Sequence, residues 1–136
     1  MNKISIVTLV FSILFFGFSC QNQKSKQAIS LPSFNGVWED VNTDDFKNCY
    51  AVYSEVGDSI HIAHYIEFKG QSFFETGSGI IKGDSIIYHV DVIKPIPAWG
   101  PDGGTHYLKL SEDKNTLKGI FITDGGHKGS LVFKRK

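Results

Sequence analysis

Three turn signals fall 13 residues apart in the middle of the chain, and each lies between two runs of β-forming residues. They are centred on Gly57, Gly70 and Gly83, and further turn signals occupy 113–115 and 124–126. Tight turns join antiparallel strands that lie side by side, so this spacing predicts a β-meander. A Gly-Asp-Ser-Ile string begins at Gly57 and recurs at Gly83, two strands later, which predicts that both turns lie at the same end of the meander.

The composition of residues 34–136 favours strands over helices. This part of the chain holds 18 Ile and Val but only 7 Ala, Leu and Met, and no window shows a helical stripe. The turn signals divide it into eight predicted strands: 34–41, 49–56, 59–68, 71–81, 84–93, 105–110, 116–123 and 128–135. An open sheet of this size would expose two edges, and closure removes both, so we expect an all-β, eight-stranded antiparallel up-and-down barrel.

Closure of the barrel brings the first strand beside the last, where Trp38 and Arg135 are expected to meet. Gly36-Val37-Trp38, the meander and the basic residue at the end of the last strand together resemble the lipocalin-like proteins, or calycins. The resemblance implies that Trp38 closes one end of the barrel and that Arg135 packs across it, with Gly36 completing the motif. It covers 34–135 in architecture and rests on these three positions in residues.

The N-terminus has the layout of a secretory signal. Lys3 precedes fifteen uncharged residues, 4–18, which at about 1.5 Å per residue are too short to span a bilayer core of about 30 Å as a helix. The residues up to Cys20 resemble the lipobox of bacterial lipoproteins, which implies that a signal peptide, 1–19, is removed and that Cys20 carries the lipid anchor. A soluble secreted protein is the alternative.

The polar segment after Cys20 is expected to be a flexible tether, 20–33, that connects the lipidated cysteine to the lipocalin-like domain, 34–136. The protein is then expected in the cell envelope, anchored to a membrane by palmitate or a related acyl chain, with the outer membrane favoured because Gln21 follows Cys20. The sequence does not indicate which face of that membrane it occupies, or an oligomeric state.

The charge balance and the cysteine content argue against a nucleic-acid partner and against a fold held by a disulfide. The chain has 14 basic and 14 acidic residues, and this balance argues against nucleic acid as a partner. With Cys20 acylated, Cys49 has no partner within the chain, so the domain is expected to fold without a disulfide. We expect Cys49 to be a small buried apolar residue, with a nucleophilic thiol as the less favoured alternative.

The five histidines do not have the spacing of a metal site. His61 and His64 are three residues apart on one predicted strand, so they point to opposite faces. His64 and His106 each share a face with apolar residues and are expected to point into the barrel, as hydrogen-bonded core residues or as ligand contacts. We expect no metal and no cofactor.

No motif of an enzyme is present. There is no phosphate-binding loop, and no Ser or Cys has an evident base beside it. Glu67 and Glu75 flank the turn at Gly70 and come nearest to a catalytic pair of carboxylates, but charged residues beside a turn are expected to face solvent. We therefore expect no catalytic residues and a protein that is not an enzyme.

The connection from Lys94 to Gly104 interrupts the pattern of short turns. It contains three of the four prolines and also Trp99. Stiff loops on a rigid barrel often carry binding sites, so Trp99 is either a contact residue at the mouth of the barrel or a plug for that end of the core. The other long connection, 42–48, is a candidate second rim loop.

The sequence leaves two main functions and one weaker one. The first is a membrane-anchored, extracytoplasmic lipoprotein that holds a small apolar or amphipathic ligand in the barrel mouth, with Trp99, His64 and His106 as candidate contacts. The second is a protein-binding envelope lipoprotein, either an assembly factor or an enzyme inhibitor, with a barrel filled by its own side chains. The third is an enzyme whose site involves His64 and His106. A cavity above about 300 Å³ with co-purifying lipid would favour the first function, a solid core with an exposed Trp99 the second, and paired inward histidines around a bound ion the third.

Overall fold

The computed structural model of the chain describes residues 33–41, 45–97, 99–100 and 102–136. They form eight antiparallel strands, each paired with the next along the chain and the last with the first, so the sheet is a closed barrel. The strands are β1 (Gly36–Asp40), β2 (Phe46–Val56), β3 (Ser59–Phe68), β4 (Gln71–Lys82), β5 (Ser85–Lys94), β6 (Gly104–Leu110), β7 (Thr116–Thr123) and β8 (Lys128–Arg135). The all-β meander barrel is therefore confirmed. The expected signal peptide, Cys20 and nearly all of the expected tether lie outside the described residues.

Two strand boundaries near the N-terminus differ from the prediction. β1 begins at Gly36 rather than at residue 34, and β2 begins at Phe46 rather than at residue 49. Phe46 pairs with Phe68 of β3, and the register then shifts between Lys47 and Tyr50, so the early part of β2 contains a bulge. Residues 46–48 thus belong to a strand, and the expected rim loop is correspondingly shorter.

The tight turns place their glycines in backbone conformations that other residues rarely adopt. Gly57 and Gly83 have φ values of 61° and 62° and occupy the first central position of two-residue hairpin turns, where type II′ geometry requires a positive φ. The backbone N–H of Ile81 donates to the carbonyl of Asp58 at 2.8 Å, so the two turns are neighbours. The repeated string does lie at one end of the barrel.

At the same end, Arg135 lies directly opposite Trp38 across the β1–β8 seam, with its guanidinium carbon 4.2 Å from the centre of the indole ring. Its three nitrogens donate to the backbone carbonyl oxygens of Ser33, Asn35 and Lys114 at 2.6–3.0 Å. We call this the closed end. The opposite end, which carries the β1–β2, β3–β4, β5–β6 and β7–β8 connections, is the open end.

The interior contains two apolar clusters. The larger fills the closed end and centres on Phe34, Trp38, Tyr53 and Phe133, while the smaller lies at the open end. Polar side chains lie inside the barrel between the larger cluster and the open end, as the next section describes. No helix in the described part of the chain has the length and apolar character needed to cross a membrane.

Candidate functional site

A cavity of about 640 Å³ lies inside the barrel toward the open end. Its walls are largely aromatic, its floor is polar, and its rim is formed by the β5–β6 and β7–β8 connections. The walls include Phe46, Phe73, Trp99 and Phe121, the floor Asp40, His64, Glu75 and His106, and the rim Asp102, Thr123 and His127.

The polar floor follows from the same strand alternation that builds the core. In β3 the inward positions are Ile60, Ile62, His64 and Ile66, so the backbone directs the imidazole of His64 into the barrel. In β6 the side chain of His106 points inward in the same way. The sequence therefore buries polar groups here instead of apolar ones, at a cost that only hydrogen bonds and ion pairs can offset.

His64 lies between two carboxylates. Its Nδ1 donates to Oε1 of Glu75 at 2.9 Å, and its Nε2 is 3.5 Å from Oδ2 of Asp40. Burial lowers the pKa of His64, but the two carboxylates more than offset this effect and raise the pKa to about 9. At neutral pH the floor thus contains an imidazolium held in place by acidic groups from β1 and β4.

His106 begins a second set of hydrogen bonds, which crosses the barrel interior. Its Nδ1 shares a hydrogen bond of 3.0 Å with the hydroxyl of Tyr88, which in turn shares one of 2.7 Å with the hydroxyl of Tyr53. Nε2 of His106 is 3.9 Å from Oε1 of Glu75, beyond hydrogen-bond length. Burial is the largest influence on His106 and lowers its pKa to about 4, so its ring is neutral at neutral pH. Burial also raises the pKa of both tyrosine hydroxyls, so both remain protonated.

The Pro-rich connection turns Trp99 toward the barrel. The indole ring packs against Phe46, Phe68 and Phe73 with centroid distances of 5.1–5.7 Å, and it also lines the cavity. The backbone N–H of Trp99 donates to the carbonyl of Ile96, a buried residue of the same cluster. Trp99 therefore covers part of the open end and also presents surface to the cavity.

The structure brings together three of the candidate residues and separates the others. His64, His106 and Trp99 all line the cavity. Trp38 and Arg135 lie at the closed end, where Gly36 begins β1 with a φ of 125°. Cys20 is outside the described residues.

Cys49 belongs to the smaller apolar cluster and is 3% exposed. Its thiol contacts the carbonyl oxygen of Lys47 at 3.1 Å, and burial raises its pKa. The thiol is therefore poorly suited to act as a nucleophile.

The expectation that Glu75 faces solvent is wrong. Its side chain is inward, the residue is 5% exposed, and its partner is His64. Only Glu67, on the outer side of the hairpin, has the expected environment, where it accepts a hydrogen bond from Asn48. Closeness to the turn at Gly70 predicted exposure of Glu75, whereas the alternation of β4 places Glu75 on the same inward face as Phe73.

Asp40, Tyr53 and Tyr88 were also missed as site residues. Asp40 lies two residues after Trp38, so alternation along β1 was a sufficient signal that it points inward. For the two tyrosines, alternation predicts burial but does not predict that their hydroxyls meet. That contact joins β2 to β5, whose strands are not neighbours in the sheet.

Within the described ranges, no group of three or more His, Cys, Asp and Glu side chains has an arrangement that could hold a metal ion. His61 is exposed on the face of β3 opposite to His64, as expected. Comparison of the chain with protein-family models, with curated proteins and with solved structures finds no match. The fold and the cavity are therefore the basis for the function proposed next.

Proposed function

We propose that this protein is a membrane-anchored, extracytoplasmic lipoprotein whose lipocalin-like barrel holds a small apolar or amphipathic ligand. The observation that carries the proposal is the cavity of about 640 Å³ inside the open end. Small-molecule sites typically have volumes of about 300–1,000 Å³, mostly apolar walls and a few convergent polar groups. This cavity has all three properties.

The walls and the floor have different roles in binding. Aromatic side chains from β2, β4 and β7 and from the Pro-rich connection bury the apolar part of the ligand, at about 25 cal/mol for each Å² removed from water. The buried polar groups of the floor orient the ligand, because a polar group of the ligand that reaches them must pair with them or lose its hydration. The closed barrel holds the walls and the floor in fixed positions.

The cavity favours ligand binding over the protein-binding alternative. That alternative requires a barrel filled by its own side chains and an exposed contact on the Pro-rich connection. The ring of Trp99 instead packs inward against Phe46, Phe68 and Phe73.

We also propose binding rather than catalysis. The described floor supplies carboxylate and imidazole groups, and the one described cysteine, Cys49, lies in a separate apolar cluster with a raised thiol pKa. The hydrogen bonds of His64 and His106 go to Glu75 and Tyr88, which hold the rings in fixed positions.

Native mass spectrometry of the full chain, expressed in a bacterial host and extracted gently from membranes, tests this function. We expect a mature protein that begins at Cys20, carries acyl groups there, and retains a small molecule that is lost on denaturation. A Leu131→Trp variant replaces an aliphatic side chain of the cavity wall with a bulky indole ring and should remove the retained molecule while leaving the protein folded. Wild-type protein that is folded and empty, and that takes up none of the probes described in the next section, would contradict the ligand-binding function.

A further inference from the structure

We infer that the ligand of this cavity is an organic cation, such as an amine, whose charged group sits at the polar floor and whose apolar part lies against the aromatic walls. This inference rests on the proposed ligand-binding function and specifies the chemical class of the ligand.

The first argument is the charge of the described lining. Three carboxylates, those of Asp40, Glu75 and Asp102, line the cavity, and no lysine or arginine among the described residues does so. Three histidines also line the cavity: His64 supplies one positive charge, the ring of His106 is neutral, and His127 is at the rim. The lining therefore has an excess of negative charge, which a bound cation reduces and a bound carboxylate would increase.

The second argument is the position of His64. Its positive charge lies between Asp40 and Glu75, so an anionic group that approached the ring would also approach both carboxylates. The Nε2–H is buried and has no well-formed hydrogen bond to a described residue, although Asp40 is 3.5 Å away. Because that atom has almost no exposed surface, the positive charge of His64 is directed at its two carboxylates rather than at a ligand.

The third argument is the nature of the walls. The rings of Phe46, Trp99 and Phe121 line the same cavity as the carboxylates. The face of an aromatic ring attracts a cation because the ring carries partial negative charge there. Carboxylates and aromatic faces around one space thus favour the same sign of charge on the ligand.

Three probes with one skeleton and different head groups test the inference on the full mature chain. We expect 4-phenylbutylamine to bind at least about tenfold more tightly than 4-phenylbutyrate at pH 7, as measured by isothermal titration calorimetry, with 4-phenylbutan-1-ol between them. If the acid or the alcohol binds as tightly as the amine, the inference is overturned and the ligand-binding function stands. If none of the three binds although the protein retains a small molecule, the inference alone is overturned. If none binds and the folded protein is also empty, the ligand-binding function is overturned together with the inference.

Substitutions locate the preference at the floor. In Asp40→Asn and in Glu75→Gln the advantage of the amine over the acid should shrink severalfold, because each substitution removes a negative charge from the floor. Glu112→Gln removes an acidic charge from the exposed β6–β7 turn and should leave the advantage intact. Two floor variants are used because loss of Glu75 deprives His64 of its hydrogen bond, and circular dichroism identifies a variant that fails to fold. An advantage that is unchanged in a folded floor variant would overturn the assignment to these carboxylates.

Discussion

At the scale of single residues, the two buried histidines differ in charge, one cationic and one neutral, although both line the same cavity floor. His64 has carboxylates on both sides, whereas His106 has a tyrosine hydroxyl at its Nδ1 and only a distant contact with Glu75. Burial lowers the pKa of both rings, and only at His64 do the neighbouring charges prevail. Both rings are buried, so the difference between their charge states comes from their neighbours.

This difference predicts a maximum of stability near the usual histidine pKa of 6.5. The pKa of His64 is raised to about 9, so its contribution is complete below pH 6.5 and is lost as the pH rises toward 9. The pKa of His106 is lowered to about 4, so its contribution is complete above pH 6.5 and is lost as the pH falls toward 4. Each limb has a slope of up to about 1.4 kcal/mol per pH unit, which urea unfolding between pH 4 and 9 measures.

The variant His64→Gln should remove the decline above pH 6.5 and leave the acid limb in place. His61→Gln is the matched control, because His61 lies on the exposed face of the same strand. A decline above pH 6.5 that persists in His64→Gln would show that another group causes it.

Arg135 is the residue whose replacement tests the closed end. Arg135→Lys keeps the charge but loses the planar group that lies over Trp38 and donates to three carbonyl oxygens. We expect a loss of about 1–3 kcal/mol in the free energy of unfolding, measured in urea. Lys134→Ala, on the exposed face one residue earlier, should change it by less than about 0.5 kcal/mol. Equal effects of the two substitutions would argue against a special role for Arg135.

At the scale of strands and turns, the two-residue turns set the register on which the site depends. Val56 pairs with Ser59 and Lys82 with Ser85, so each turn fixes which residues of the next strand face inward. A shift by one residue would move His64 from the interior to the outer surface. The polar floor is thus a consequence of turn geometry as much as of side-chain chemistry.

Gly57 provides a test of this dependence. A Cβ at Gly57 would meet nothing within 4 Å, so a substitution there acts through its backbone conformation alone. Gly57→Val should lower the free energy of unfolding by about 1–2 kcal/mol, because a β-branched residue is strained at positive φ, and Gly57→Asn should cost less because Asn tolerates that region. Thermal unfolding of both variants measures the difference. Equal losses would mean that the positive φ is not the cause.

At the scale of the whole molecule, the barrel has one end closed by the Trp38 and Arg135 pair and another that contains the cavity. β1 begins at the closed end, so the proposed tether would join the barrel there, at the end opposite to the cavity. Labelled palmitate tests the anchor: wild type and Cys49→Ser should incorporate it, and Cys20→Ser should not. Equal labelling of both single variants would contradict acylation at Cys20.

Much of the fold could be predicted from residue patterns, but less of the site. The turn glycines and the strand alternation predicted the meander, and an eight-stranded sheet with two costly edges predicted closure. The inward direction of His64 and His106 followed from the same alternation. The inward direction of Glu75 was not predicted, because a charged residue close to a hairpin turn is expected to face solvent.

The sequence by itself determined the strands, their order and the faces on which most side chains lie, because these depend on a period of two and on turns whose partners are close along the chain. Only the tertiary structure decided that a cavity remains between the larger apolar cluster and the open end, that Asp40 and Glu75 converge on His64, and that Tyr53 meets Tyr88. These contacts join residues from strands far apart in the chain. Their geometry depends on the diameter and tilt of the closed barrel, which local patterns do not encode.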